Sequence, residues 1–266
     1  MTTALVTGAT QGLGLALVAG LADRLGPADT VYLTGRDPAR VAAATAALTP
    51  TPARVVGAVL DVADPSAAAT LVAEVGDLDI VFGNAVMRVG PADDPRAVVD
   101  EYTRVNNFGT TRLLRAFAPR IRPGGRLLIV ASSLGTLHHL APSLHSRFDN
   151  LPDLDAVDAA TARWRDEVAD GRARAMAWPA FINIPSKIAQ VAAVRTLAAT
   201  QNDHLVAAVC PGMMNTPTSA LWWDVRDAPT PAEAAEPLLT LALDDINPAH
   251  HGELIRSGEI LPWRPA

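Results

Sequence analysis

Cysteine is nearly absent: Cys210 is the only one, so no internal disulfide can form and a reducing compartment is expected. Basic runs are also missing. Lys and Arg total 22 against 28 Asp and Glu, and the resulting net charge of -6 argues against a nucleic-acid partner. No stretch approaches the roughly 20 apolar residues of a membrane-spanning helix. The start, Met1-Thr2-Thr3-Ala4-Leu5-Val6-Thr7-Gly8, has neither the basic flank nor the apolar length of a secretory signal. A soluble, cytoplasmic protein is expected. No Cys/Asp/Glu cluster has metal-ligand spacing, so no metal site is expected. Tyrosine is scarce, with Tyr32 and Tyr102 alone. Finally, no repeat or low-complexity linker divides the chain, and a single domain over residues 1–266 is expected.

Short apolar runs alternate with longer alanine- and leucine-rich stretches, the pattern of a parallel sheet covered on both faces. Strands are expected at Ala4–Thr7, Val31–Thr34, Arg54–Leu60, Ile80–Phe82, Arg126–Ala131, Leu205–Val209 and Glu253–Ile255. Helices are expected over Gly14–Leu25, Pro38–Leu48, Ser66–Val75, Arg96–Ala118, Ser186–Ala199 and Pro231–Leu243. The predicted fold class is α/β, a doubly wound Rossmann fold with a parallel seven-stranded sheet. About fifty residues separate the fifth strand from the helix near Ser186, too many for a simple connection. Ala156–Gly171 inside this stretch reads as an amphipathic helix. The insertion, about residues 140–178, is either a solvated excursion or a wall for a pocket.

Thr7-Gly8-Ala9-Thr10-Gln11-Gly12-Leu13-Gly14 follows the first strand and opens the first helix. Glycines there permit a tight turn and let backbone amides and the helix N-terminus approach a pyrophosphate. The alternative is a turn that only allows helix–sheet packing. At the end of the second strand, Arg36 suits the 2′-phosphate of NADP better than the 2′-hydroxyl of NAD. As a surface arginine paired with Asp37 it would carry no such meaning.

With these motifs in order, the chain resembles the short-chain dehydrogenase/reductase family over nearly its whole length, and within it the monomeric carbonyl-reductase-like branch. Trp178-Pro179 and the preceding insertion carry the resemblance to that branch. The resemblance implies that Gly8, Gly12 and Gly14, with the intervening Gln11 and Leu13, form the phosphate turn. It places Asp61-Val62 at the adenine, Asn84-Ala85 beside the cofactor, and Asn106 at a water in a proton relay. Ser132 would hydrogen-bond the substrate carbonyl, and Gly135 fixes the register over Ser133. Lys187 would bind the nicotinamide ribose, and Pro211-Gly212 with Thr216 would cradle the nicotinamide. Residues of about 213–230 would form a substrate lid, and the insertion would cover the surface that related tetramers use, leaving a monomer.

Two positions depart from the family pattern. Gly83-Asn84-Ala85-Val86 ends in a branched side chain where the family has glycine. Asn183-Ile184-Pro185-Ser186-Lys187 begins with a carboxamide where the family has its catalytic tyrosine, and a carboxamide has no proton to give near neutral pH. Tyr32, on the second strand, and Tyr102, on the helix before Asn106, are both expected to lie away from Ser132 and Lys187. His138 and His139 are candidate acids, or plain loop histidines; His250-His251 read as surface. Met213-Met214, Leu221-Trp222-Trp223, Trp178 and Phe181 either line an apolar pocket or pack in the core.

Three functions follow. The first is an NADP(H)-dependent oxidoreductase acting on a small, largely apolar carbonyl or enone, with an altered proton path. The second is a redox-neutral cyclase, isomerase or dehydratase in which Ser132 and Asn183 donate to an oxyanion. The third is a nucleotide-binding regulator without catalysis. Together Ser132, Asn106 and Lys187 speak against the third.

Overall fold

A computed structural model describes residues 1–48 and 50–265. Its core is one eight-stranded sheet: β1 (Thr3–Val6), β2 (Thr30–Gly35), β3 (Arg54–Val59), β4 (Leu78–Gly83), β5 (Ile121–Val130), β6 (Leu205–Val209), β7 (Leu254–Arg256) and β8 (Glu259–Leu261). The spatial order is β3-β2-β1-β4-β5-β6-β7-β8. Seven strands run parallel as expected. The eighth is a correction: Glu259–Leu261 folds back antiparallel on β7, through Ser257 and Gly258 at φ 50° and 81°. Two consecutive positive φ values match the twist of a two-residue hairpin.

The strands are apolar on both faces, and alternate residues go to opposite sides. Leu5, Val81, Leu127, Ile129 and Val206 join one core cluster. Val6, Phe82, Leu128, Val130 and Val209 join the other. Helices α1 (Gly12–Arg24), α2 (Pro38–Leu48) and α8 (Pro231–Leu243) cover the second cluster. The first lies under α3 (Ala67–Val75), α4 (Pro95–Thr103), α5 (Gly109–Phe117), α6 (Leu154–Ala169) and α7 (Asn183–Ala198). Proline opens both α2 and α8. Asp37 accepts from the amides of Ala39 and Arg40 before α2, and Thr230 and Glu233 form a reciprocal capping box around Pro231.

Two helices differ from expectation in ways that matter for the site. The segment expected as one helix over Arg96–Ala118 is α4, then a π-helical turn at Arg104–Phe108, then α5. Such turns widen the ladder by one residue and re-aim its side chains. In addition α7 begins at Asn183, one turn before Ser186, with Pro185 inside its first turn. Proline is tolerated there because those N–H groups have no intrahelical acceptor.

The insertion between β5 and α7 is folded, not a loose excursion. Its helix α6 packs on α4 and α7 and buries Val157, Trp164 and Val168. Trp164 and Phe148 meet Trp178 at ring centroids of 6.3 and 6.1 Å, and the Trp178 indole donates to Glu167 Oε2 at 2.6 Å. Trp178 is thus a core residue, the second of its two readings from sequence. The outer face of α4 is covered by the chain's own α6, which removes a helical surface from intermolecular use. The protein is therefore expected to be a monomer at micromolar concentration in light scattering; a stable tetramer would contradict this account of the insertion.

Candidate active site

The strand order reverses between β1 and β4, and ligands of open α/β sheets bind outside the strand ends at such a point. Here the tips of β1 and β4 are tied together. Thr7 Oγ1 accepts from the amides of Asn84 and Ala85 at 2.9 and 3.0 Å. Asn84 Nδ2 donates to the carbonyls of Thr7 and Gly8 at 3.0 and 3.1 Å. Gly8 has φ +62°, and a Cβ there would lie 2.7 Å from the Ala85 Cα, so only glycine fits. At Gly12 the absent Cβ would point into open space. A crowded back and an open front, at a helix N-terminus, form a cradle that fits a diphosphate.

Arg36 is exposed at the end of β2 and makes no hydrogen bond or salt bridge among the described residues. The alternative pairing with Asp37 is absent because that carboxylate caps α2. A second cation stands nearby: Arg40 Nη2 donates to Gln11 Oε1 at 2.7 Å. Sequence reading missed Arg40, although its place in the first turn of α2, just after Arg36, was the available clue. Asp61 turns back to accept from the Ala63 amide, and Val62 is buried and sits close to Gly109.

Across the cleft, α7 brings Asn183 and Lys187 one turn apart on one face. Lys187 is the only lysine among the 22 basic residues, a signal the composition carried openly. Its Nζ donates to the Val130 carbonyl at 3.2 Å and to Gln190 Oε1 at 2.8 Å. Gln190 Nε2 passes the chain on to the Asn106 carbonyl and to Thr110 Oγ1, at 2.8 and 3.0 Å. Asn106 itself exchanges two hydrogen bonds with the Met87 backbone, while Asn107 and Ser186 clasp α7 to the π turn. Sequence reading missed Gln190; its spacing of three from Lys187 on a helix was the available clue.

Ser132 follows β5 and is half-buried, its Oγ accepting weakly from the Leu134 amide at 3.3 Å. Gly135, where a Cβ would meet the Lys187 carbonyl at 3.0 Å, lets this loop lie against α7. Ser132, Asn183, Lys187 and Asn106 all line one cleft of about 210 Å³, together with Leu13, Asn84, Pro211, Gly212 and Thr216. Val86 joins its wall.

One expectation fails here. Tyr102 does not lie away from this region: its hydroxyl donates to Asn183 Oδ1 at 2.8 Å and it lines the same cleft. The reason is local. Tyr102 precedes Asn106 by four residues, one turn, and with the π turn at Arg104–Phe108 both line the cleft, the Tyr102 hydroxyl reaching α7. Burial pushes the Tyr102 phenol up to about 12, with Ser186 and Asn106 opposing the shift.

No histidine lines the cleft. His138 and His139 are exposed and neither lines the cleft; His139 bonds the Ser133 carbonyl. His250 is a further correction, being buried rather than on the surface. His251 clips the Ala198 carbonyl. Of the aromatic candidates, Phe181 stacks with Trp222 at 4.8 Å and Trp223 lies 6.1 Å from Trp222. All three line the cleft with Met214, whereas Met213 and Leu221 are exposed.

The short chain dehydrogenase model matches residues 2–143. Carbonyl reductase (NADPH) 3 of Mus musculus is 30% identical over 282 residues, with 98% of each chain covered. Carbonyl reductase (NADPH) 1 of Bos taurus is 29% identical over 279 residues, again covering 98% of both. Among solved structures, salutaridine reductase of Papaver somniferum shares the fold at a TM-score of 0.80 and 22% identity, over 96% of this chain and 99% of that one. A short chain dehydrogenase from Burkholderia cenocepacia in complex with NADP gives 0.69 and 21%, over 96% and 95%. The chain belongs to the short chain dehydrogenase family.

Burial lowers Lys187 from its usual 10.5 to about 8, the nearby Cys210 opposing the shift. A folded value below the unfolded one means the unfolded chain holds the extra proton between about 8 and 10.5, so stability rises with pH there. Tyr102 acts oppositely, but only above its usual 10.0. Denaturant melts of the ligand-free protein should therefore show the wild type gaining about 2 kcal/mol on Lys187→Met between pH 8 and 10. A constant difference across that window would show that the ammonium is not desolvated.

Proposed function

We propose that the chain is an NADPH-dependent reductase of a small carbonyl or enone, with a carboxamide in place of the family's phenolic acid. The observation that carries this reading is the convergence of Ser132, Asn183 and Lys187 on one cleft, with the glycine cradle at its far end. The residues fit NADPH. The Gly8–Gly14 turn would take the diphosphate, Arg36 with Arg40 beside it the 2′-phosphate, and Asp61 and Val62 the adenine. Asn84 and Ala85 would flank the ribose, Lys187 would donate to its hydroxyls, and Pro211, Gly212 and Thr216 would face the nicotinamide. NADPH, when bound, supplies the hydride.

Everything else is the work of side chains. Ser132 Oγ–H and Asn183 Nδ2 would donate to the substrate oxygen as negative charge develops on it, in a cleft where such donors are pre-set. Tyr102 is a positioning residue: by donating to Asn183 Oδ1 it leaves the N–H pair, which has no protein partner among the described residues, to face the substrate. Neither donor is an acid near neutral pH, so the proton that completes the product comes from solvent at the open mouth. An enone suits this best, since an enolate is protonated by water at less cost than an alkoxide. The Phe181–Trp222–Trp223 cluster makes the remaining wall apolar.

Incubating the protein and NADPH with ketones and enones while following the nucleotide's near-ultraviolet absorbance tests the reading. Product formed without loss of that absorbance would establish the redox-neutral alternative instead. Arg36→Ala should weaken NADP(H) by about 10-fold or more while sparing NAD(H), because a charge-assisted hydrogen bond to the 2′-phosphate is lost. Equal affinities of the wild type for the two nucleotides in calorimetric titration would refute this.

Ser132→Ala and Asn183→Ala should each lower kcat by roughly 10²–10³. Tyr102→Phe should lower kcat about 10-fold with a small change in KM, and should have no further effect once Asn183 is alanine. If the Tyr102 and Asn183 effects simply add, the phenol does not act through the amide.

A further inference from the structure

The protein is acidic overall, yet no Asp or Glu lines its cleft, while two cations do: Lys187 and Arg88. Lys187 is spoken for, with two acceptors of its own. Arg88 is not. It stands on the loop after β4, and its Nη1 donates to Thr218 Oγ1 at 2.9 Å, its one side-chain hydrogen bond among the described residues. No carboxylate pairs with it among the described residues. Elsewhere the chain matches its arginines closely: Arg115, Arg122 and Arg195 each meet a carboxylate within 2.6 Å. A guanidinium offers five N–H donors in a planar fork, so most of Arg88's capacity is unused.

Its surroundings favour an anion held at this point. The Arg88 charge reaches far enough to depress the Lys187 ammonium, so an anion bound between them relieves a like-charge repulsion. Thr218, beside Arg88, and Ser219 also line the cleft and add hydroxyls. The apolar platform of Phe181 and Trp222 is fixed in place by the Trp222 indole, which donates to the Val89 carbonyl, one residue past Arg88.

We propose that Arg88 is a substrate-binding residue that selects carboxylate-bearing ketones or enones, pairing with the carboxylate while Ser132 and Asn183 hold the carbonyl oxygen. The substrate's apolar or aromatic body then rests on Phe181 and Trp222. This rests on the reductase reading for the carbonyl end, but the anion site does not depend on turnover. The fork geometry makes the pairing bidentate, which a lysine cannot reproduce.

The test compares benzoylacrylate and benzoylpropionate with their methyl esters. The wild type should prefer each acid over its ester by about 10- to 100-fold in kcat/KM, carried by KM, the range of one charge-assisted hydrogen-bonded pair. Arg88→Met should bring that ratio close to one, and Arg88→Lys should retain part of it. No preference in the wild type, or an unchanged ratio in Arg88→Met, overturns the proposal. So does a loss traced in calorimetry to weaker NADPH binding. If neither acid nor ester is reduced, calorimetry of benzoylpropionate on the protein with NADP decides the anion site alone. Binding that is lost in Arg88→Met upholds it while removing the reductase reading, and no binding removes both.

Discussion

Burying the Lys187 ammonium costs on the order of several kcal/mol unless its protons find acceptors, and this constraint organises the catalytic half of the molecule. The acceptors are the Val130 carbonyl, at the end of β5, and Gln190, one turn along the same helix. Gln190 can point its oxygen at the lysine only because its nitrogen has partners of its own, the Asn106 carbonyl and Thr110. So the charge on α7 is held by a relay that ends in the π turn between α4 and α5. The same turn presents Tyr102 to Asn183. The end of β5, the π turn and α7 are therefore one unit, and a shift of any of them leaves a buried polar atom without a partner.

The insertion supports that unit from outside. Its helix α6 packs on both α4 and α7, with the Phe148–Trp164–Trp178 cluster beneath. Trp178 extends the first core cluster into the insertion, and its indole bond to Glu167 ties the end of the insertion to α6. The chain leaves this anchor only a few residues before Asn183, so the position of α7's first turn is set by aromatic packing as much as by its own helix propensity. A different region, the loop after β4 and the segment after Gly212, carries the proposed substrate selection; there Arg88 donates to Thr218 and Trp222 donates to the Val89 carbonyl.

Much of this was legible in the residues. The glycine turn and the alternation of apolar runs with helical stretches are local patterns of a doubly wound sheet, and the order Asn106, Ser132, Lys187, Pro211 was what the family resemblance implied. The uncertain places were those where two distant segments decide. Trp178 and Phe181 look alike in the sequence; one is core and the other is a pocket wall. His250 reads as a polar residue beside a turn, and it is buried.

By itself the sequence determined the fold class, the cofactor corner and the absence of a phenol at position 183, because these depend on periodicity, turn chemistry and residue identity. Only the tertiary structure decided where Tyr102 goes. A single added residue in the helix ladder at Arg104–Phe108 rotates what precedes it, and a rotation of that kind leaves no mark on apolar periodicity. It likewise decided that Arg88 stands without a carboxylate among the described residues, since pairing depends on which charges the fold brings within a few ångströms, and composition counts charges without placing them.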